Sequence, residues 1–69
     1  MKLSARNVLK GKVVSVEKGA TTAHVKIEIA SGQTITSSIT NESVDALGLT
    51  VGGEAYAVVK SSDVIIAVD

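Results

Sequence analysis

The chain has 69 residues, no Cys, Trp, Phe or Pro, a single His and a single Tyr, and seven basic side chains balanced by seven acidic ones. That composition excludes a disulfide framework and leaves a transition-metal site without its usual ligands. It also lacks the basic excess and the aromatic platforms on which nucleic-acid binders rely.

No apolar run approaches the ~20 residues of a membrane span, so no membrane contact is expected. The opening Met1-Lys2-Leu3-Ser4 carries no apolar signal region. Together with the absence of cysteine this predicts a cytoplasmic protein. Residues 1–69 read as one domain, and 45% of them are hydrophobic. A domain this small, with neither disulfide nor metal, is expected to gain its missing stability by self-association.

Ser4-Ala5-Arg6-Asn7 is a short run of donors and small residues ahead of the first strand. Lys12 to Glu17 reads as that strand, with Val14 and Val16 on one face and Ser15 and Glu17 on the other. Lys18 to Thr21 reads as a turn in which Gly19 is free to take a positive φ. The next strand has the cleanest period of two, Ala23, Val25, Ile27 and Ile29 alternating with His24, Lys26 and Glu28. After a turn at Ala30 to Gln33 comes a β-branched strand, Thr34 to Ile39, with Ile35, Ser37 and Ile39 on one face.

Thr40 to Gly48 is the only helical segment. Thr40 or Asn41 can cap it, Glu42 and Asp45 suit its N-terminal end, and Gly48 sits where a terminating glycine belongs. Gly52-Gly53 turns the chain into a strand over Glu54 to Val59. A second polar run, Lys60-Ser61-Ser62-Asp63, separates that strand from Val64 to Val68, an apolar run that needs cover on both faces. The expected fold is all-β: a five-stranded OB-type Greek-key barrel with one short helix between strands 3 and 4. An SH3-like barrel is the alternative.

Catalysis is hard to place on this chain. His24 lies on the polar face of the best-patterned strand, and no nucleophile–base–orienter set surrounds it. The carboxylates are scattered, so no acid–base pair is predicted and the chain is not expected to be an enzyme. Oxyanion binding is the better match. A tetrahedral dianion is held by converging N–H and O–H donors and one or two cations. Ser4, Arg6, Asn7, Lys60, Ser61 and Ser62 supply those groups, and Ala5 lets backbone N–H groups come close.

Ser4-Ala5-Arg6-Asn7 followed by Leu9-Lys10-Gly11-Lys12-Val13 resembles the opening of the molbindins, small members of the molybdenum-pterin-binding-protein family. The resemblance continues through Ile35-Thr36-Ser37, Ser43-Val44, Leu47-Gly48 and Ala57-Val58-Val59-Lys60-Ser61-Ser62-Asp63-Val64, and so covers essentially the whole chain. It implies an OB-type fold assembled as a homo-hexamer, a trimer of dimers, with molybdate or tungstate held where subunits meet. By that analogy Ser4, Ala5, Arg6 and Asn7 form one wall of the site and Lys60, Ser61 and Ser62 the other. Backbone N–H groups of the Gly19-Ala20 turn are expected to contribute as well. The implied role is cytoplasmic storage and buffering of the oxyanion, with no catalytic cofactor. Two other classes remain open: an OB-type nucleic-acid-binding module, which predicts salt-sensitive oligonucleotide binding, and a purely structural oligomerisation module, which predicts an assembly indifferent to molybdate.

Overall fold

A computed structural model describes residues 1–69. It contains four strands, β1 (Asn7–Lys18), β2 (Thr22–Ile29), β3 (Thr34–Thr40) and β4 (Glu54–Val59), and one α-helix, α1 (Asn41–Leu47). The strands form a single antiparallel sheet in the order β3-β2-β1-β4. Three consecutive strands joined by tight turns, with a fourth returning beside the first, is the Greek-key arrangement. The sheet curls without closing, and β3 and β4 are its two free edges. This is an OB-like half-barrel.

Two expectations are corrected here. A fifth strand over Val64 to Val68 is not formed: the segment pairs with nothing in its own chain, and Ile65, Ile66 and Val68 are 91%, 82% and 92% exposed. A short polar turn, Ser61–Asp63, follows the end of β4 and separates it from this segment. The first strand also begins at Asn7 rather than Lys12. Its leading half is invisible to an alternation argument because Val8 and Leu9, on opposite faces, are both about two-fifths exposed.

β1 serves two partners in succession. Residues Asn7 to Lys12 pair with β4, and residues Gly11 to Lys18 pair with β2. The exchange takes place at Gly11, where a Cβ would lie 2.4 Å from the Glu28 carbonyl oxygen and 2.6 Å from Ile27 Cγ2. Only glycine allows the backbones to approach this closely. Two residues further on, the pairing slips between Val13 and Ser15, leaving Val14 as an extra residue on β1. A bulge of this kind shifts the phase of alternation along the strand. Val13 therefore faces the core at 1% exposure while Val14 is 41% exposed, against the sequence expectation that Val14 and Val16 share a face.

The core is small: Val13, Ala23, Val25, Ile27 and Val44 are the buried residues. Val16, Ile29, Ile39, Leu49 and Ala55 pack around them. β2 behaves as its pattern predicts, Ala23, Val25 and Ile27 being buried and His24, Lys26 and Glu28 exposed. Ile35, Ser37 and Ile39 share the half-buried face of β3. Of the two candidate caps, Thr40 is the one used, its Oγ1 accepting from the Ser43 backbone N–H at 3.0 Å. Gly48 ends the helix in the left-handed conformation. Val44 fastens the helix to the sheet from inside. Outside, Asn41 Nδ2 donates to the Gly19 carbonyl at 2.9 Å and Lys18 Nζ lies 2.6 Å from Asp45 Oδ1.

Candidate functional site

The two donor runs are 53 residues apart in number, taking Asn7 and Lys60 as their nearest members, yet the fold sets them side by side. In the β1–β4 register Asn7 lies opposite Val59, so Arg6 and Lys60 are the next residues out beyond the two strands. Because β2 joins β1 only from Gly11 onward, Asn7 to Lys10 and their partners Tyr56 to Val59 form a two-stranded ribbon. Ser4-Ala5-Arg6 and Lys60-Ser61-Ser62 extend from its tip.

At that tip the Asn7 side chain turns back across the ribbon, its Nδ2 donating to the Val59 carbonyl oxygen at 3.1 Å. The backbone N–H groups of Ser4, Ala5, Arg6 and Lys60 make no hydrogen bond within the chain. Neither do the hydroxyls of Ser4, Ser61 and Ser62, the Arg6 guanidinium or the Lys60 ammonium. Ser4, Arg6, Lys60, Ser61 and Ser62 are exposed, and Ala5 and Asn7 are partly covered. No carboxylate occurs in either run up to Ser62; Asp63 follows at the end of the 3-10 turn. Chemically, this is a group of free donors and two cations able to surround an anion.

Gly19 and Ala20 are not part of this group. They lie beyond Lys18, at the other end of the 12-residue strand β1, in a molecule whose longest dimension is 34 Å. The Gly19 N–H is also engaged, donating to the Thr22 carbonyl at 2.7 Å, whereas the Ala20 N–H is free. Gly19 does not adopt the positive φ expected of it; the positive-φ glycines are Gly32, Gly48 and Gly52. Its requirement is space, since a Cβ there would stand 2.9 Å from the Thr22 carbonyl oxygen.

An apolar groove of about 400 Å³ lies between the two sheet edges, with Val25, Ile27, Ile39, Leu49, Tyr56 and Val58 among its walls. The alternation of β2 pointed to one side of this groove. Its opening to solvent could not be anticipated, because the alternation of one strand does not say what covers its inner face. His24 is exposed on the opposite, polar face, level with Glu17 and Ser38 across the strands.

Comparison with known proteins agrees with this architecture. Residues 3–66 match the model of the TOBE domain family. Molybdenum-pterin-binding protein 2 of Clostridium pasteurianum is 58% identical over 66 residues, which cover 96% of this chain and 97% of that protein. Among solved structures, MopII from Clostridium pasteurianum superposes with a TM-score of 0.91 at 55% identity, covering 97% of this chain and all of that one. The cytoplasmic molybdate-binding protein ModG, solved with molybdate bound, also gives 0.91, at 48% identity over 94% of this chain and 46% of its own. A match that spans nearly the whole chain, on a sheet that orders its strands as a Greek key, places this protein in the TOBE domain family, among the molybdenum-pterin-binding proteins known as molbindins.

Proposed function

We propose that the protein binds and stores molybdate, or tungstate, as the free oxyanion in the cytoplasm, at sites where subunits of a homo-hexamer meet. The observation that carries this reading is the Asn7–Val59 register, which brings two runs of unpaired donors to one ribbon tip. Burying a dianion costs several kcal/mol or more unless its oxygens all find donors. Arg6 and Lys60 supply charge, while Ser4, Ser61, Ser62 and the N–H groups of Ser4 to Arg6 supply geometry. Molybdate carries no proton at neutral pH, so a site made only of donors suits it. Monoprotonated phosphate brings a donor of its own and lacks an acceptor there.

Assembly is supported by what the single chain leaves uncovered. The apolar segment Val64 to Val68 stands in solvent, and the groove between β3 and β4 is open and apolar. Ile65, Ile66 and Val68 would each contribute about 1.5–3 kcal/mol on full burial. Laid against another copy, the segment satisfies both features at once. The free Ala20 N–H at the far end of β1 cannot reach the ribbon tip of its own chain, so any part it takes in the site comes from a neighbouring copy. Each bound ion then ties together the chains that surround it.

Native mass spectrometry with and without sodium molybdate tests the reading, because it reports assembly size and ion count together. A hexamer that gains molybdate, with uptake weakened by Ser4→Ala and by Lys60→Ala, is the expected result. Unchanged uptake in both variants removes these residues from the site. A monomer that ignores the ion at millimolar excess overturns the whole reading.

A further inference from the structure

Asn7 belongs by position to the donor run, but its side chain is already in use. Nδ2 donates to the carbonyl of Val59, the last residue of β4 and the one immediately before Lys60. From the geometry we infer that Asn7 is a positioning residue, which acts on the oxyanion through the Val59–Lys60 peptide and does not touch the ion. The inference rests on the oxyanion site proposed above and assigns that site's internal organisation.

The Val59–Lys60 peptide is a planar trans unit, so its C=O and its N–H point in opposite directions. Asn7 draws the Val59 carbonyl toward β1. The Lys60 N–H is thereby turned away from β1, toward the free edge of β4, where it meets no acceptor in its own chain. A backbone donor aimed outward from an unpaired edge is placed to serve a ligand shared with a neighbouring copy.

The ribbon tip has little else to hold it. Its strands lack a third partner, and Val8 and Val58, which face each other there, are 42% and 44% exposed. Two-stranded antiparallel ribbons are marginal in water without further packing. The Asn7 clasp therefore controls how often the Lys60 N–H points the right way before the ion arrives. Removing it lowers affinity through lost preorganisation, while the ion keeps every direct donor.

The test is a titration of isotopically labelled protein with sodium molybdate, followed by the side-chain amide resonance of Asn7 and the backbone amide of Lys60, beside calorimetry on wild type and Asn7→Ala. At saturation the Lys60 amide is expected to move and the Asn7 Nδ2 signal to stay in place, since its hydrogen bond to Val59 persists. Asn7→Ala should bind molybdate about fivefold more weakly, the scale of one modest hydrogen bond. Its Lys60 amide should also be displaced before any ion is added. A large movement of Asn7 Nδ2 on binding, or an affinity in Asn7→Ala equal to wild type, overturns the inference and leaves the oxyanion site intact. Should wild type fail to bind molybdate, the site proposal falls, and the ion-free Lys60 displacement still decides whether the clasp orients that peptide. The wild-type titration needs no variant to fold.

Discussion

Gly11 is the position at which the sheet has least tolerance, and Gly11→Ala puts a number on it. The added Cβ would approach the Glu28 carbonyl oxygen to 2.4 Å and the Ile27 side chain to 2.6 Å. One of those contacts is with backbone in a paired strand, which cannot rotate aside. Overpacking of this kind costs about 3 kcal/mol. Against it stands a gain of about 0.4–1 kcal/mol from the stiffer unfolded chain, so the clash wins by about 2 kcal/mol. For a domain of this size that corresponds to a fall of about 8–16 °C in midpoint. Thermal unfolding monitored by circular dichroism, with protein concentration held equal because the proposed assembly would raise the midpoint by mass action, measures it directly. On the proposed function the variant is also expected to bind molybdate less well, since Gly11 is where the donor-bearing ribbon joins β2. A midpoint within about 2 °C of wild type, which on the same scale is under about 0.5 kcal/mol, would refute the claim that β1 and β2 must touch here.

Two other expectations concern the cap and the tail. Thr40→Ala removes the acceptor for the Ser43 N–H and should cost about 1 kcal/mol in urea unfolding, with Thr40→Ser close to wild type; equal stability of the Ala variant would show that water replaces the cap. Truncation after Asp63 takes away the exposed apolar segment but no strand of the sheet. The shortened protein should keep its β-sheet circular dichroism and sediment as a smaller species than the full chain, and unchanged assembly would place the subunit contacts elsewhere.

What the sequence made legible followed from burial. β2 could be read residue by residue because it is central, with one face on the core and one in water, and strict alternation is the signature of that environment. The helix could be read from its ends, since Thr40 and Gly48 are residues whose chemistry suits a start and a stop. β1 was harder. Its first half lies in a ribbon with no properly buried face, so nothing in the alternation of Asn7 to Gly11 marks it as strand. The phase change at Val14 is a property of pairing with β2, and a pattern confined to one strand cannot contain it. Val64 to Val68 announces a need for cover without saying which chain provides it.

The site itself was half legible. Its donor types and their grouping into two runs were visible along the chain, and so was the suspicion that the runs meet. The Asn7–Val59 contact that aligns them joins residues 52 positions apart, and an Asn before a strand looks the same whether it binds a ligand or a carbonyl. Residue chemistry picked out the two runs and the family resemblance implied that they share a site, but their hydrogen-bond partners became apparent only once the strands were in register.

The extra residue at Val14 has a consequence for how this fold can change. Residues on its two sides count their inward and outward positions from different origins, although Gly11 to Val13 before it and Ser15 to Lys18 after it all pair with β2. Deleting one residue there would heal the pairing irregularity and turn over whichever half of β1 was less firmly anchored. Val13 anchors the half that ends in Ser4 to Asn7 and Val16 the half that ends in Lys18, so turning either one over would take a core side chain out of the interior. A turned-over first half would also present every donor on it the opposite way, without a single substitution. The direction in which β1 presents Ser4 to Asn7 is thus a matter of residue number as much as residue type.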